Sequence, residues 1–340
     1  MKTKLSVSIL ALAATLTPAF AGNFNGLLRT DAASAAPAEP SLLTITTSAT
    51  SAVSGSLKYA AKSYAFTANL DAAGHADITI PRTGRPLPPP LVLSIQSDAT
   101  LGFVADVSAG STVASGTAAQ CPFSAATTTP AAGKYVQMVG MSVPRYAPYP
   151  SEVGGMTIAG IGAVVVTGKL SNGKAFSASA WLTAGGFPLF GIATTTPRAS
   201  ASADVTLTPA GTFTSPGVDC TIPGVVAGAF FAERWTPPAL NTPVLPVDVT
   251  MSPNLSVWAM AGPRSLIAGY DMTMSASIRV TDASGVIPAL ATLSINKSTG
   301  LLSGRFDDGG LYRTYTGAIF PSLQRGLGVW SGGTMQIFTY

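Results

Sequence analysis

The sequence predicts an all-β protein of antiparallel meander and hairpin repeats, forming two or three small β-barrel or sandwich-like units. Three observations carry that expectation. Charged residues make up only 10% of the 340 residues, apolar side chains recur with a period of two, and one strand–turn–strand unit returns three times. A helix on the surface of a protein usually carries a charged face, which a chain this poor in Glu and Lys does not supply. The hydrophobic content of 47% allows a core of ordinary size, spread over more than one unit at this length.

The first residues set the compartment. Lys2 and Lys4 precede an apolar stretch from Leu5 to Leu16, and Ala19-Phe20-Ala21 follows. That order is the one found in a secretory signal peptide. The stretch is shorter than the roughly 20 residues needed to cross a bilayer, and Pro18 interrupts a helix before the cleavage point. Residues 1–21 are therefore expected to be a signal peptide and Gly22 the first mature residue. The chain is expected to be exported, to an extracellular, cell-surface or periplasmic site.

Three β blocks are then expected, at 22–120, 121–235 and 236–340. A short strand at Asn23–Leu28 leads into an Ala-, Ser- and Pro-rich connection from Thr30 to Pro40. Similar punctuation recurs at Arg82–Pro90, Thr127–Gly133, Arg145–Pro150 and Thr236–Pro246, as loops between strands require. Between these loops, Leu43-Thr44-Ile45-Thr46, Ala76-Asp77-Ile78-Thr79-Ile80 and Leu91-Val92-Leu93-Ser94-Ile95 alternate. Alternation of this kind marks strands with one wetted face.

The repeat is the strongest signal. Val53-Ser54-Gly55-Ser56-Leu57 followed by Lys62–Leu70 returns as Val166-Thr167-Gly168-Lys169-Leu170 followed by Lys174–Leu182. It returns again as Leu302-Ser303-Gly304-Arg305-Phe306 followed by Leu311–Ile319. The turn Ser171-Asn172-Gly173-Lys174 contains an Asn-Gly pair that predicts a type I′ hairpin with positive φ at both central residues, and Asp307-Asp308-Gly309-Gly310 serves the same end. The first copy turns at Tyr59-Ala60-Ala61-Lys62 with neither Gly nor Asn.

The phrases from Gly168 to Ser179, Leu70–Gly74 with Ile78-Thr79-Ile80 behind it, and Lys297–Gly304 carry a resemblance. With the ending Trp330-Ser331-Gly332-Gly333, they resemble the β-repeat modules found in large secreted and surface-attached bacterial proteins. In those modules three related β sections follow one another and end in a Gly-aromatic-Gly-Gly strand. The resemblance implies an extracytoplasmic β module and brings no catalytic residues with it.

Little in the sequence points to chemistry. His75 is the single histidine, so neither a Ser-His-Asp triad nor a His-rich metal site has its parts. Cys121 and Cys220 are the two cysteines, and in an oxidising compartment they are expected to form a disulfide. The loop it closes is about 100 residues long, worth roughly 4–5 kcal/mol in the chain-entropy estimate. Asp307 and Asp308 are too few for calcium and read as turn residues. Among the three glutamates, Glu39, Glu152 and Glu233, only Glu152 has aromatic neighbours that suit a sugar-cleaving carboxylate. Trp181 and Trp330 are expected in cores, whereas Trp235, Tyr146 and Tyr149 are the candidate ligand contacts.

No catalytic residue, cofactor site or metal site follows from these readings. The expected role is structural, adhesive or binding at the cell surface, with other surface proteins or glycans as partners. Nucleic acid is excluded, since removal of Lys2 and Lys4 lowers the formal charge from +4 to +2 and leaves no basic field. A ligand-binding β-barrel is one alternative. An outer-membrane β-barrel is another, favoured by the aromatic ending Ile337–Tyr340 and opposed by the many prolines and short strands, which make membrane integration the weaker reading.

Overall fold

The computed structural model describes residues 21–339, apart from 31–39, 49–50, 61, 85, 111, 142–148, 194–198, 221–227, 263–264, 276–279 and 283–290. The expected signal peptide lies outside the described residues except for Ala21, and so does Tyr146.

Alternating strands paired with their neighbours give an all-β protein of three antiparallel sheets, each closed or nearly closed into a barrel. The first barrel holds β1 (Gly22–Thr30), β2 (Ser41–Thr47), β3 (Ala52–Tyr59) and β4 (Lys62–Asn69), then β5 (His75–Ile80), β6 (Leu91–Asp98), β7 (Gly102–Ala109) and β8 (Thr112–Gln120). β1 pairs with β8, so two four-strand meanders join through the ends of the segment and leave a seam between β4 and β5.

The second barrel holds β9 (Gly133–Met141), β10 (Tyr149–Ile158), β11 (Ala163–Leu170), β12 (Ala175–Trp181), β13 (Gly186–Ala193) and β14 (Ala199–Leu207). It is completed by β15 (Phe213–Ser215), β16 (Asp219–Cys220) and β17 (Ala229–Arg234). This ring closes fully: β14 pairs with β15, β15 with β17 and β17 with β9, while short β16 adds to β14. The third barrel comprises β18 (Leu255–Gly262), β19 (Ser265–Met274), β20 (Val280–Asp282), β21 (Ala291–Ile295), β22 (Leu301–Asp308), β23 (Leu311–Phe320), β24 (Arg325–Trp330) and β25 (Gly333–Thr339). Here β18 pairs with β25, and the seam falls between β20 and β21.

The period of two sends apolar residues into each lumen and polar ones outward. In the first barrel Phe24, Ile45, Leu57, Phe66, Leu93 and Phe103 form one buried cluster, while Ser54, Thr67, Asp77, Thr79 and Asp106 between them are exposed.

The repeated glycines have a packing reason. Gly55 lies opposite Phe66 and Gly304 opposite Tyr315 across their hairpins. A Cβ at either glycine would sit 2.6 Å from the Phe66 ring or 2.4 Å from the Tyr315 hydroxyl, so each aromatic ring occupies the space that its partner lacks. The second copy departs from this: Phe176 covers Gly191 instead, and the space over Gly168 is taken by the Glu152 carboxyl, 1.7 Å from where a Cβ would stand.

The turns split in two ways. Gly309 and Gly310 have φ of 62° and 92° between paired Asp308 and Leu311, the I′ arrangement. The Asn172-Gly173 turn does not adopt it. The loop there runs from Leu170 to Lys174, and Gly173 has a φ of 79° without Asn172 joining it in the left-handed region. One extra residue changes the preferred solution to a type I turn with a glycine bulge.

The barrels stand in a row. The first meets the second through Leu27, Leu42, Phe190 and Ile192. Arg29 is held there by Asp204 and Asp219, and the Trp181 backbone N–H donates to Asn25 Oδ1 at 2.6 Å. On the opposite flank of the second barrel, Val136, Met138, Val153 and Phe231 pack against the third barrel. Phe231 and Phe320 face each other at 6.2 Å.

Candidate functional site

Side chains fill the lumens. Phe24 meets Phe103 edge-on at 5.0 Å in the first barrel. Tyr135, Phe187, Phe213 and Phe230 cluster in the second, and Phe306 packs on Trp330 in the third. A ligand held inside a barrel would have to displace these rings.

Glu152 is inside the second barrel and 1% exposed. It shares the inward face with Gln137, whose Nε2 donates to Glu152 Oε1 at 2.7 Å. Burial pushes the Glu152 carboxyl up to about 8, opposed by the Gln137 hydrogen bond. Glu152 Oε2 and Gln137 Oε1 are both buried acceptors without a hydrogen-bond donor. A proton on the carboxyl turns Glu152 Oε2 from an acceptor without a donor into a donor. Glu152 is thus a carboxyl group enclosed inside the barrel and hydrogen-bonded to an amide, with burial favouring its protonated form.

The candidate ligand contacts Trp235 and Tyr149 lie in the joint between the second and third barrels. Trp235 is 5% exposed, its Nε1–H donates to the Lys297 carbonyl at 2.9 Å, and its ring covers Gly300, which has a φ of 70°. The Tyr149 hydroxyl donates to the Ala261 carbonyl at 3.4 Å. Nearby, the Glu233 carboxylate accepts from the Ser322 N–H at 3.2 Å, and burial raises its pKa. These residues bind one barrel to the next, and the indole of Trp235 has its face and its N–H already occupied.

The expected disulfide is not formed. Cys121 is buried after β8 against the β10–β11 turn, where its sulfur lies 3.6 Å from the Ile161 carbonyl and 2.8 Å from a Cβ built on Gly162. Cys220 pairs across β16 with Ala201 in β14. Between the two sites lie β12 and β13 of the ring, and the register places them at different heights along the barrel. Pairing in an oxidising compartment needs Cα atoms within about 7 Å.

Recesses on the surface include one of about 420 Å³ on the first barrel beside Thr46–Ser48, Ala52–Ser54 and Thr67–Asn69, and two more. One, of about 540 Å³, lies between the first and second barrels and is lined by Asn25, Arg29, Ser115, Thr117, Thr183 and Asp204 among others. Its guanidinium is already neutralised by two carboxylates, so it reads as part of a joint. The other, of about 420 Å³, lies on the wall of the third barrel and is lined by Ser256, Trp258, Gly269, Asp271 and Phe338.

Trp258 is 40% exposed and meets Phe338 edge-on at 4.9 Å. Its Nε1–H donates to Ser256 Oγ at 3.0 Å, and that hydroxyl donates to Asp271 Oδ1 at 3.2 Å. The indole rests beside Gly269, whose missing Cβ would be 3.4 Å away. Residue type and spacing do not distinguish Trp258 from the other tryptophans. The signal in the sequence is its phase: Leu255, Val257 and Ala259 are the inward set, fully buried, which puts Trp258 on the outward phase with Ser256.

Among the described residues no helix is long and apolar enough to cross a membrane, and no group of three or more His, Cys, Asp or Glu is placed to hold a metal. No family model matches the sequence, and no curated protein matches it. A solved crystal structure of a "putative outer membrane protein" from Bacteroides fragilis NCTC 9343 is similar over 63% of this chain and 97% of its own, at 13% identity and a TM-score of 0.21. An overlap that loose carries neither fold nor role across to this chain.

Proposed function

We propose that this chain is an exported, non-catalytic β-repeat protein with a structural and adhesive role at the cell surface, where other surface proteins or glycans are its partners. The observation that carries the reading is the construction of three filled barrels locked in a row. The joint between the second and third is continuous with their cores, so the pair behaves as one stiff body. A row of packed units presents surface and spacing, which is what an adhesive or structural element needs. The wall of the first barrel also opposes insertion into lipid, because a spanning barrel turns its apolar phase outward, whereas the exposed positions of β3 to β7 include Ser54, Thr67, Asp77, Thr79 and Asp106 beside Val92.

Fractionation of the producing cell with protease treatment of intact cells tests the proposal. The chain is expected in the surface or exported fraction and to be cleaved from outside. Recovery of the full chain, signal included, from the cytoplasm would overturn it.

A further inference from the structure

We infer that the joint between the first and second barrels is an ionic latch, which opens about the Gln120–Cys121 connection while all three barrels stay folded. The inference goes beyond the surface role proposed above and does not depend on it.

The two joints of the row are built differently. At the second, Val136, Met138 and Val153 of one barrel share a single buried cluster with Leu327, Val329 and Trp330 of the next. At the first, the buried apolar contact among the described residues is Leu27, Leu42 and Phe190 with Ile192 beside them, separate from the core of either barrel. Units within one chain move relative to each other unless their interface is large and hydrophobic. Only the second joint meets that condition.

Around its small apolar contact the first joint is polar. β1 turns Asn25, Leu27 and Arg29 outward, on the phase opposite to Phe24 and Leu28 in the core. Arg29 pairs with Asp204 and Asp219, and the three side chains are 40%, 71% and 61% exposed. Exposed pairs hold weakly and weaken further in salt. Lys58 is half-buried against the second barrel with its ammonium donating to Ser179 Oγ at 3.4 Å, and burial lowers its pKa. Asn25 Nδ2 and Ser202 Oγ, the latter beside Phe190 on the facing wall, are buried without a hydrogen-bond partner. These groups gain water when the joint opens, which offsets the exposure of Leu27, Leu42 and Phe190. A recess of about 540 Å³ already reaches Asn25, Arg29 and Asp204 from outside.

The connection decides where the motion falls. The chain crosses between these barrels once, from β8 to β9. Gln120 still pairs with Phe24 in β1. Beyond it, Cys121 packs on Gly162, Phe123 lies against the core of the second barrel, and the Thr129 N–H donates to the Gly160 carbonyl at 2.9 Å. The segment after Gln120 therefore stays with the second barrel, and opening breaks the bond from the Cys121 N–H to the Asn23 carbonyl.

Hydrogen exchange in the purified mature chain tests the latch. The Trp181 backbone N–H donates to Asn25 Oδ1 across the first joint, and the Trp235 indole N–H donates to the Lys297 carbonyl across the second. Raising sodium chloride from about 10 mM to about 1 M shortens the Debye length from about 30 to about 3 Å. Exchange at Trp181 should then quicken about threefold or more, with Trp235 and the amides of β6 and β7 unchanged. The maximum dimension in small-angle X-ray scattering should rise over the same range, with circular dichroism constant. Arg29→Ala leaves two carboxylates without their cation and should speed Trp181 exchange about tenfold at low salt. If that variant fails to fold, Asp204→Asn with Asp219→Asn must give the same gain. Combining Arg29→Met, Asp204→Asn and Asp219→Asn should abolish most of the salt dependence.

Trp181 exchange and a maximum dimension that stay constant across the salt range would overturn the inference. Equal acceleration in β6 and β7 would also overturn it, because the first barrel would then be unfolding instead of swinging. Equal acceleration at Trp235 would do the same, since the two joints would then not differ.

Discussion

Replacing Glu152 with glutamine should stabilise the second barrel and remove most of its pH dependence. The unfolded carboxyl titrates near its ordinary 4.5, whereas the folded one holds its proton to about 8. Below 4.5 both states are protonated, and the full stability of the barrel is present. Between 4.5 and 8 the unfolded chain releases a proton that the folded chain keeps, so stability falls as pH rises. The slope is about 1.4 kcal/mol per pH unit, which gives a loss of about 3 kcal/mol at pH 7 and about 5 kcal/mol above pH 8. A glutamine side chain cannot ionise, and its amide can exchange two hydrogen bonds with the Gln137 amide in place of the acid–amide pair.

The Glu152→Gln variant should therefore match the wild type near pH 4 and exceed it by about 3 kcal/mol at pH 7. Urea unfolding at pH 4, 5.5, 7 and 8.5 measures both, with hydrogen exchange of the Gln137 and Gly168 amides assigning the effect to this barrel. A wild-type barrel whose stability is flat from pH 5 to 8, or a variant that loses stability between pH 4 and 7 as steeply as the wild type, would refute the buried neutral acid. Infrared difference spectra should also show a protonated carboxyl stretch at pH 6 that disappears in the variant.

Other expectations follow from single contacts. Ala60 holds a φ of 49° in the two-residue turn between paired Tyr59 and Lys62, so Ala60→Gly should raise the stability of the first barrel by about 0.5–1 kcal/mol in denaturant titration. Trp235→Ala empties the joint over Gly300 and should cost about 3–5 kcal/mol, seen as faster hydrogen exchange in the second and third barrels with the first unchanged. A reducing agent should leave the melting temperature unaltered, and Cys121 should react with a thiol reagent only on unfolding, since burial raises its pKa despite the hydrogen bond to the Phe123 backbone. Gly168→Ala should unfold the second barrel or expel Glu152, read as loss of the pH dependence described above, because the added methyl has 1.7 Å to the carboxyl oxygen.

Strand identity and inward phase were legible in the sequence because both are local. Alternation along Ala76–Ile80 or Leu91–Ile95 decides which side chains share a face without reference to any other strand. The three-fold repeat was legible for the same reason, as a strand, a turn and a strand of adjacent residues. Turn geometry was only partly so: Gly309-Gly310 behaves as its composition requires, while Asn172-Gly173 obeys a loop one residue longer.

What tertiary structure decided is everything that depends on which strands meet. Trp235 and Tyr149 had the residue types of ligand contacts, yet they fell in the joint between two barrels, because the outward faces of β9 and β10 pack against β23 and β24. Cys121 and Cys220 were expected to pair on the expectation of an oxidising compartment, and the geometry does not bring them together, since ring closure set them around the wall of the second barrel. Glu152 had aromatic neighbours in sequence, but the period of two that buries Met156 and Gly154 also turns Glu152 inward, where Gln137 is its partner. Composition and spacing fix local conformation; long-range pairing fixes proximity, and proximity decides whether a polar group faces water, another barrel or a buried partner.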